Sequence, residues 1–162
     1  MSKQAFNYAS PSSATSTAEP DLSLLAGLSD EEWAKFAHYL ERVEFSAQNL
    51  LVQAGEQDPS IYILAEGRVA ITADEHGAQP LAEFGPGDVF GEIAFLDREP
   101  RSAFVRALTD GRSFRLTREK FEYLSAWEPR IAQQFLLDLG QSLSARLRWT
   151  TSALVDARSK QR

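Results

Sequence analysis

Phe90-Gly91-Glu92-Ile93-Ala94-Phe95-Leu96-Asp97-Arg98-Glu99-Pro100-Arg101-Ser102-Ala103 interrupts an otherwise strand-like stretch and decides how the rest of the chain is read. It sets a carboxylate, Glu92, and a guanidinium, Arg101, nine residues apart. Gly91 lacks a Cβ and lets backbone approach a bound molecule. Glu92 opens a short apolar turn whose first N–H groups would be aimed at an anion. Pro100 keeps the next residues extended, so Arg101 enters a strand with the Ser102 and Ala103 N–H groups beside it. A guanidinium forks onto two phosphate oxygens, whereas a carboxylate avoids phosphate but accepts from a sugar hydroxyl. A 3′,5′-cyclic nucleotide offers both partners, a phosphate monoanion and a free ribose hydroxyl, on one rigid ring system. Taken singly, a Gly-Glu pair is more often a turn and an arginine more often a solvated strand residue; the joint pattern carries the reading.

On either side of this run lie short apolar segments at 43–45, 50–52, 61–64, 69–71, 81–84, 103–108 and 114–116. Turn signals separate them: Ala54-Gly55-Glu56, Glu66-Gly67, His76-Gly77, Gly85-Pro86-Gly87-Asp88 and Asp110-Gly111. This spacing predicts an α+β chain built on a β-roll or jelly roll of about eight antiparallel strands. The stretch from Phe90 to Asp97 is read as a short helical turn within it. An N-terminal helix starts at Ser29, whose spacing from Glu32 makes a capping box, and carries Trp33, Phe36, Ala37 and Leu40 to an end near Arg42. Thr117 caps a later helix holding Phe121, Leu124 and Trp127. Pro129 opens a long C-terminal helix toward Asp156, with an apolar stripe of Ile131, Phe135, Leu139, Leu143, Leu147 and Leu154 interrupted by Gly140. Residues 9–20 are small and polar and bury too little to offset the entropy of ordering, so residues 1–20 are expected to be a disordered leader before a domain over 21–160.

With 162 residues and 43% hydrophobic content, one domain is the natural count. A net charge of −6 argues against a general nucleic-acid binder, which must neutralise phosphates with Lys and Arg. Cysteine is lacking, and His38 and His76 are too few and too scattered for a metal site, which also disfavours a cupin-type metalloenzyme. No nucleophile–base pair is visible, so an enzyme is not expected. No secretory signal or membrane span is read, so the cytoplasm is the expected compartment.

The cassette closely resembles the phosphate-binding cassette of the cyclic-nucleotide-binding domain family, and the likeness extends over roughly residues 25–155 through the turn glycines Gly55, Gly67 and Gly87. The resemblance implies that Gly91 and Glu92 bind the ribose 2′-OH and that Arg101, with Ser102 and Ala103, binds the cyclic phosphate. Arg146-Leu147-Arg148-Trp149-Thr150-Thr151 is similar to the catabolite activator branch. There two adjacent hydroxyl residues, here Thr150 and Thr151, contact the adenine amino group, and a basic residue, here Arg146, approaches the ribose glutamate. Trp149 is a candidate to stack on the purine. The implied ligand is cAMP rather than cGMP, although Ser102 suits either base; a cyclic dinucleotide would want more phosphate arginines than Arg101. No cofactor is expected. The branch also implies a homodimer through the C-terminal helix and an unknown downstream protein partner. It carries a winged helix-turn-helix after that helix; this sequence stops at Arg162, so direct DNA binding is not expected. The rival reading is a nucleotide-independent docking module on the same fold.

Overall fold

Ser29 caps the first helix as its spacing predicts: its hydroxyl accepts from the Glu32 N–H at 3.2 Å while the Glu32 carboxylate accepts from the Ser29 N–H at 2.9 Å. In the computed structural model, which describes residues 24–75 and 80–160, this helix is α1 (Asp30–Ala37). The expected leader and the His76-Gly77 turn lie outside the described residues. α1 ends before the expected boundary near Arg42. His38, Tyr39 and Leu40 donate back only three residues, tightening the last turn. Glu41 to Phe45 then pair with a partner strand from Arg115 to Gly111, and these ladder bonds override the helical pattern.

That strand is β1 (Glu41–Phe45). It is followed by β2 (Leu50–Val52), β3 (Ile61–Glu66), β4 (Val69–Thr72), β5 (Ala82–Phe84), β6 (Val89–Phe90), α2 (Glu92–Asp97), β7 (Phe104–Ala107), β8 (Gly111–Leu116), α3 (Arg118–Trp127) and α4 (Pro129–Lys160). Two four-stranded antiparallel sheets, ordered β1-β8-β3-β6 and β2-β7-β4-β5, face each other as a jelly roll. β6 was not foreseen. It is two residues long, paired to Tyr62 and Ile63 of β3, too short for any period to register.

β3 explains how the layers stack. Its residues Ile61 to Ala65 are all buried. Side chains alternate between faces of a strand: Tyr62 and Leu64 join Phe45, Val69, Phe90 and Val105 between the sheets. Ile61 and Ile63 turn the other way, onto Phe36, Phe95, Phe121, Phe135 and Leu139. The roll therefore carries a helical layer on one sheet. Phe95 of α2 lies edge-on to Phe121 and Phe135, at centroid distances of 5.3 and 6.1 Å. Arg118 donates to the Phe95 carbonyl at 2.8 Å, and Arg98 pairs with Glu122 at 2.7 Å, so α2 is gripped by α3.

The apolar stripe expected along the long helix is divided between two environments. Ile131, Phe135 and Leu139 are buried in the helical layer, whereas Leu147 and Leu154 are 68% and 60% exposed. A different row, Leu137, Gly140, Ser144, Leu147, Thr151 and Leu154, is exposed throughout and repeats in alternating steps of three and four. Gly140 has open space where a Cβ would stand. No helix among the described residues is long and apolar enough to cross a membrane.

Candidate functional site

Arg101 is the most deeply buried charge of the site, its side chain only 2% exposed. Its Nη1 donates to the Gly91 carbonyl at 3.0 Å and its Nη2 to Asp58 Oδ2 at 3.0 Å. The guanidinium also lies 5.8 Å from the Tyr62 ring centroid. A guanidinium has five N–H donors, and these two bonds leave several unspent. Nε is buried with no hydrogen-bond partner among the described residues. Burying a charged donor without a partner is costly, so an anion at this position would satisfy what the fold leaves open.

Gly91 is required by geometry as well as by conformation. Its φ is +80°, in the left-handed region that favours glycine, and a Cβ there would stand 2.5 Å from Arg101 Nη1 and 2.9 Å from the Ser60 carbonyl. It is the N-cap of α2 and provides no side-chain cap. Glu92, the first residue of α2, is 9% exposed. Its Oε1 accepts from Arg146 Nη1 at 2.9 Å, while Arg146 Nη2 reaches the Val89 carbonyl at 2.8 Å. The Arg146 guanidinium sits 4.4 Å from the Phe84 ring centroid. The link from Arg146 to Glu92, expected from the resemblance alone, is thus formed. Nearby, burial pushes the Asp88 carboxyl above the ordinary range, while a bond from the Gly85 N–H and the charge of Arg146 work in the other direction.

Gly91, Glu92, Arg101, Ser102 and Ala103 line one cavity of about 90 Å³, whose apolar wall is Val52, Ile71, Phe84, Phe90 and Val105. It is smaller than the roughly 300 Å³ at which ligand pockets usually begin, so a nucleotide would have to widen its mouth. A larger open depression of about 460 Å³ between Arg42, Glu66 and Arg112 contains none of the cassette residues. Its arginines are already paired with Glu44 and Glu66, and although Arg112 Nε is also buried without a partner, that side chain is 24% exposed against 2% for Arg101.

Thr150 and Thr151 are not brought to the cavity lining. Both are exposed on α4, and their hydroxyls donate to the Arg146 and Leu147 carbonyls at 2.9 and 2.8 Å, the back-bonding usual for threonine within a helix. Trp149 is 56% exposed beside them. Among the described residues, no group of three or more His, Asp or Glu side chains could hold a metal ion.

Sequence reasoning missed Asp58, Ser60 and Arg115. Asp58 lies 43 positions from Arg101; Asp58-Pro59-Ser60 reads only as a turn. In the fold its Oδ1 accepts from the Ser60 hydroxyl at 2.6 Å and from Arg115 Nη2 at 3.2 Å. Burial opposes its ionisation, but the Ser60 hydroxyl, Arg101 and Arg115 outweigh it and hold the carboxyl below the usual range.

Comparison with known proteins agrees with this geometry. A family model described as a cyclic nucleotide-binding domain matches residues 42–126, more than half of the chain. A cAMP-dependent protein kinase regulatory subunit of Emericella nidulans is 35% identical over 104 residues, which are 64% of this chain and 25% of that protein. The chain thus spans about a quarter of the length of the curated relatives it matches first. Among solved structures, a cyclic nucleotide-binding domain from Methylobacillus flagellatus superposes with a TM-score of 0.76 at 25% identity, covering 83% of this chain and 76% of that one. The Thermus thermophilus catabolite activator protein gives a TM-score of 0.70 at 29% identity, covering 85% and 63%.

Proposed function

Because the chain belongs to the cyclic nucleotide-binding domain family, we propose that it is a cAMP sensor that reports occupancy through its C-terminal helix to a protein partner. The observation that carries this reading is the buried Arg101, its Nε unspent, facing the same cavity as Glu92. A cyclic phosphate on Arg101, assisted by the Ser102 and Ala103 N–H groups, would put the ribose 2′-OH on Glu92. Arg146 bonds Oε1 of that carboxylate and leaves Oε2 for the hydroxyl. The preference for cAMP over cGMP is supported by the cAMP-dependent protein kinase regulatory subunit and a cAMP-activated transcriptional regulator among the similar proteins. No catalytic step is part of the reading.

Signalling would follow from the packing of α2. Glu92 opens that helix and Phe95 is wedged between Phe121 of α3 and Phe135 of α4. A ligand that pulls Glu92 toward Arg101 therefore shifts an element on which both later helices rest. It changes their position only if it binds one position better than the other. Contact of Thr150 and Thr151 with the base would require the second half of α4, from this chain or a partner copy, to close over the cavity. The exposed row Leu137, Gly140, Ser144, Leu147, Thr151 and Leu154 supports a homodimer through parallel α4 helices, with Gly140 allowing close approach. We assign the cytoplasm as the compartment.

Titration calorimetry with cAMP, cGMP and 5′-AMP tests the reading. Saturable binding with cAMP tightest is expected. No heat and no thermal shift with either cyclic nucleotide at about 1 mM, a concentration that detects affinities as weak as about −4 kcal/mol, would overturn it. Sedimentation of the protein and its Leu147→Glu variant tests the dimer: the first should run as a dimer and the second as a monomer.

A further inference from the structure

The guanidinium of Arg115 makes no contact with the cavity, yet it closes an ionic chain that begins at the phosphate arginine. Arg115 projects from β8 and spends three nitrogens on two segments, the loop before β3 and the start of β1. Nε donates to the Ser60 hydroxyl at 3.1 Å, Nη2 to Asp58 Oδ1 at 3.2 Å and Nη1 to Glu41 Oε2 at 3.4 Å. Glu41 in turn meets Lys120, in the first turn of α3, at 2.9 Å. On the other side, Asp58 Oδ2 holds Arg101. The signs alternate from Arg101 through Asp58, Arg115 and Glu41 to Lys120, three cations to two carboxylates. One positive charge is in surplus, the amount a cyclic phosphodiester monoanion neutralises.

We propose that Arg115 is a positioning and charge-balancing residue for the anion on Arg101. By sharing Asp58 it keeps that carboxylate from fully compensating the phosphate arginine. Asp58 and an arriving anion compete for the same guanidinium. Asp58 aims one oxygen at Arg101, and any anion arriving there meets its repulsion at short range. Asp58 and Arg115 are each only about a third exposed on their side chains, 29% and 32%, so their interaction is screened less than that of a surface pair. With Arg115 in place the Asp58 charge is divided between two guanidinium groups. Without it, Arg101 and Asp58 form a closed neutral pair, and the incoming phosphate gains nothing from long-range attraction. The same chain carries the anion's charge toward α3 by way of Glu41 and Lys120, a route separate from the packing of Phe95. This inference rests on the cyclic-nucleotide reading of the cavity and names what tunes it.

The experiment measures cAMP affinity of the whole chain for the wild type, Arg115→Gln, Arg115→Lys and the double variant Asp58→Asn/Arg115→Gln, with thermal melts of each. Coupling through such a network is typically worth severalfold in affinity, so Arg115→Gln should weaken binding about fivefold to tenfold. Arg115→Lys should retain affinity within about threefold, since the charge is kept. The decisive result is the double variant: removing the carboxylate should recover most of the loss, which a packing defect would not allow. The deficit of Arg115→Gln should also shrink as salt is raised to about 0.5 M. Wild-type affinity in Arg115→Gln, equal weakness in Arg115→Lys, or a double variant no better than the single would overturn the proposal. A wild type that binds no cyclic nucleotide would instead overturn the underlying reading, and this inference with it.

Discussion

Two guanidinium–carboxylate pairs border the same cavity, and they are built differently. Arg101 with Asp58 belongs to the roll: both partners sit on strand-adjacent segments, the arginine is 2% exposed, and every contact is to the sheets or the turn at Gly91. Arg146 with Glu92 joins two helices: its arginine is 28% exposed and comes from the part of α4 that has already left the aromatic layer. Fixing the first pair costs little further entropy, because the strands around it are held by ladder bonds on both sides. The second pair must hold a helix whose following residues, Leu147 to Val155, are exposed. A rigid anion clamp beside a releasable helix latch is the division of labour a ligand-operated switch requires.

The comparison breaks most decisively at Arg101. Arg101→Ala should weaken cAMP binding about 30-fold or more, since losing one partner of a buried charged contact typically costs 2–5 kcal/mol. Calorimetry reads this directly, and near-wild-type affinity would mean the anion lies elsewhere. Because Asp58 would lose one of its partners too, Arg101→Lys serves as the control: it keeps the charge but not the fork and should fall between the two.

A smaller effect is expected at the helix latch. Arg146→Ala should alter affinity by less than about tenfold, in keeping with a partly exposed ion pair. It should, however, speed amide exchange along the second half of α4 while leaving the strands protected. If exchange rises equally throughout the molecule, the two pairs are not mechanically distinct.

The weakest effect concerns acid. Asp58 is held below its ordinary value near 3.8 despite burial, by Ser60, Arg101 and Arg115, and Glu41 below 4.5, chiefly by its bond from Lys120. Their folded pKa values lie under the unfolded ones, so the folded state binds fewer protons. Their contribution is then fully present above the unfolded values and is lost as pH falls through the folded ones. Denaturant melts between about pH 6 and about pH 3 should show stability falling faster for the wild type than for Asp58→Asn.

Much of the fold was legible because local chemistry and tertiary structure agree. The capping box at Ser29, the threonine cap at Thr117 and Pro129 at the first turn of α4 mark helix starts with side chains that act on adjacent backbone. The cassette was legible for the same reason: Gly91, Glu92 and Arg101 lie within a single supersecondary unit. What was not legible depends on distant pairing. α1 stops at Ala37 because β8 claims the residues after it, and β6 exists only because β3 offers two partners. The α4 stripe reads as a single face, yet Phe135 meets Phe95 and Phe121 while Leu147, three turns on, is 68% exposed.

From the residue order alone came the alternation of short strands and turns, the helix caps, and the placing of Glu92 and Arg101 about one short helix, since each is written in residues a few positions apart. Folding in three dimensions alone decided which carboxylate restrains Arg101, which arginine shares that carboxylate and where α4 leaves the core. Those outcomes rest on approaches between residues dozens of positions apart, and no local spacing encodes such distances.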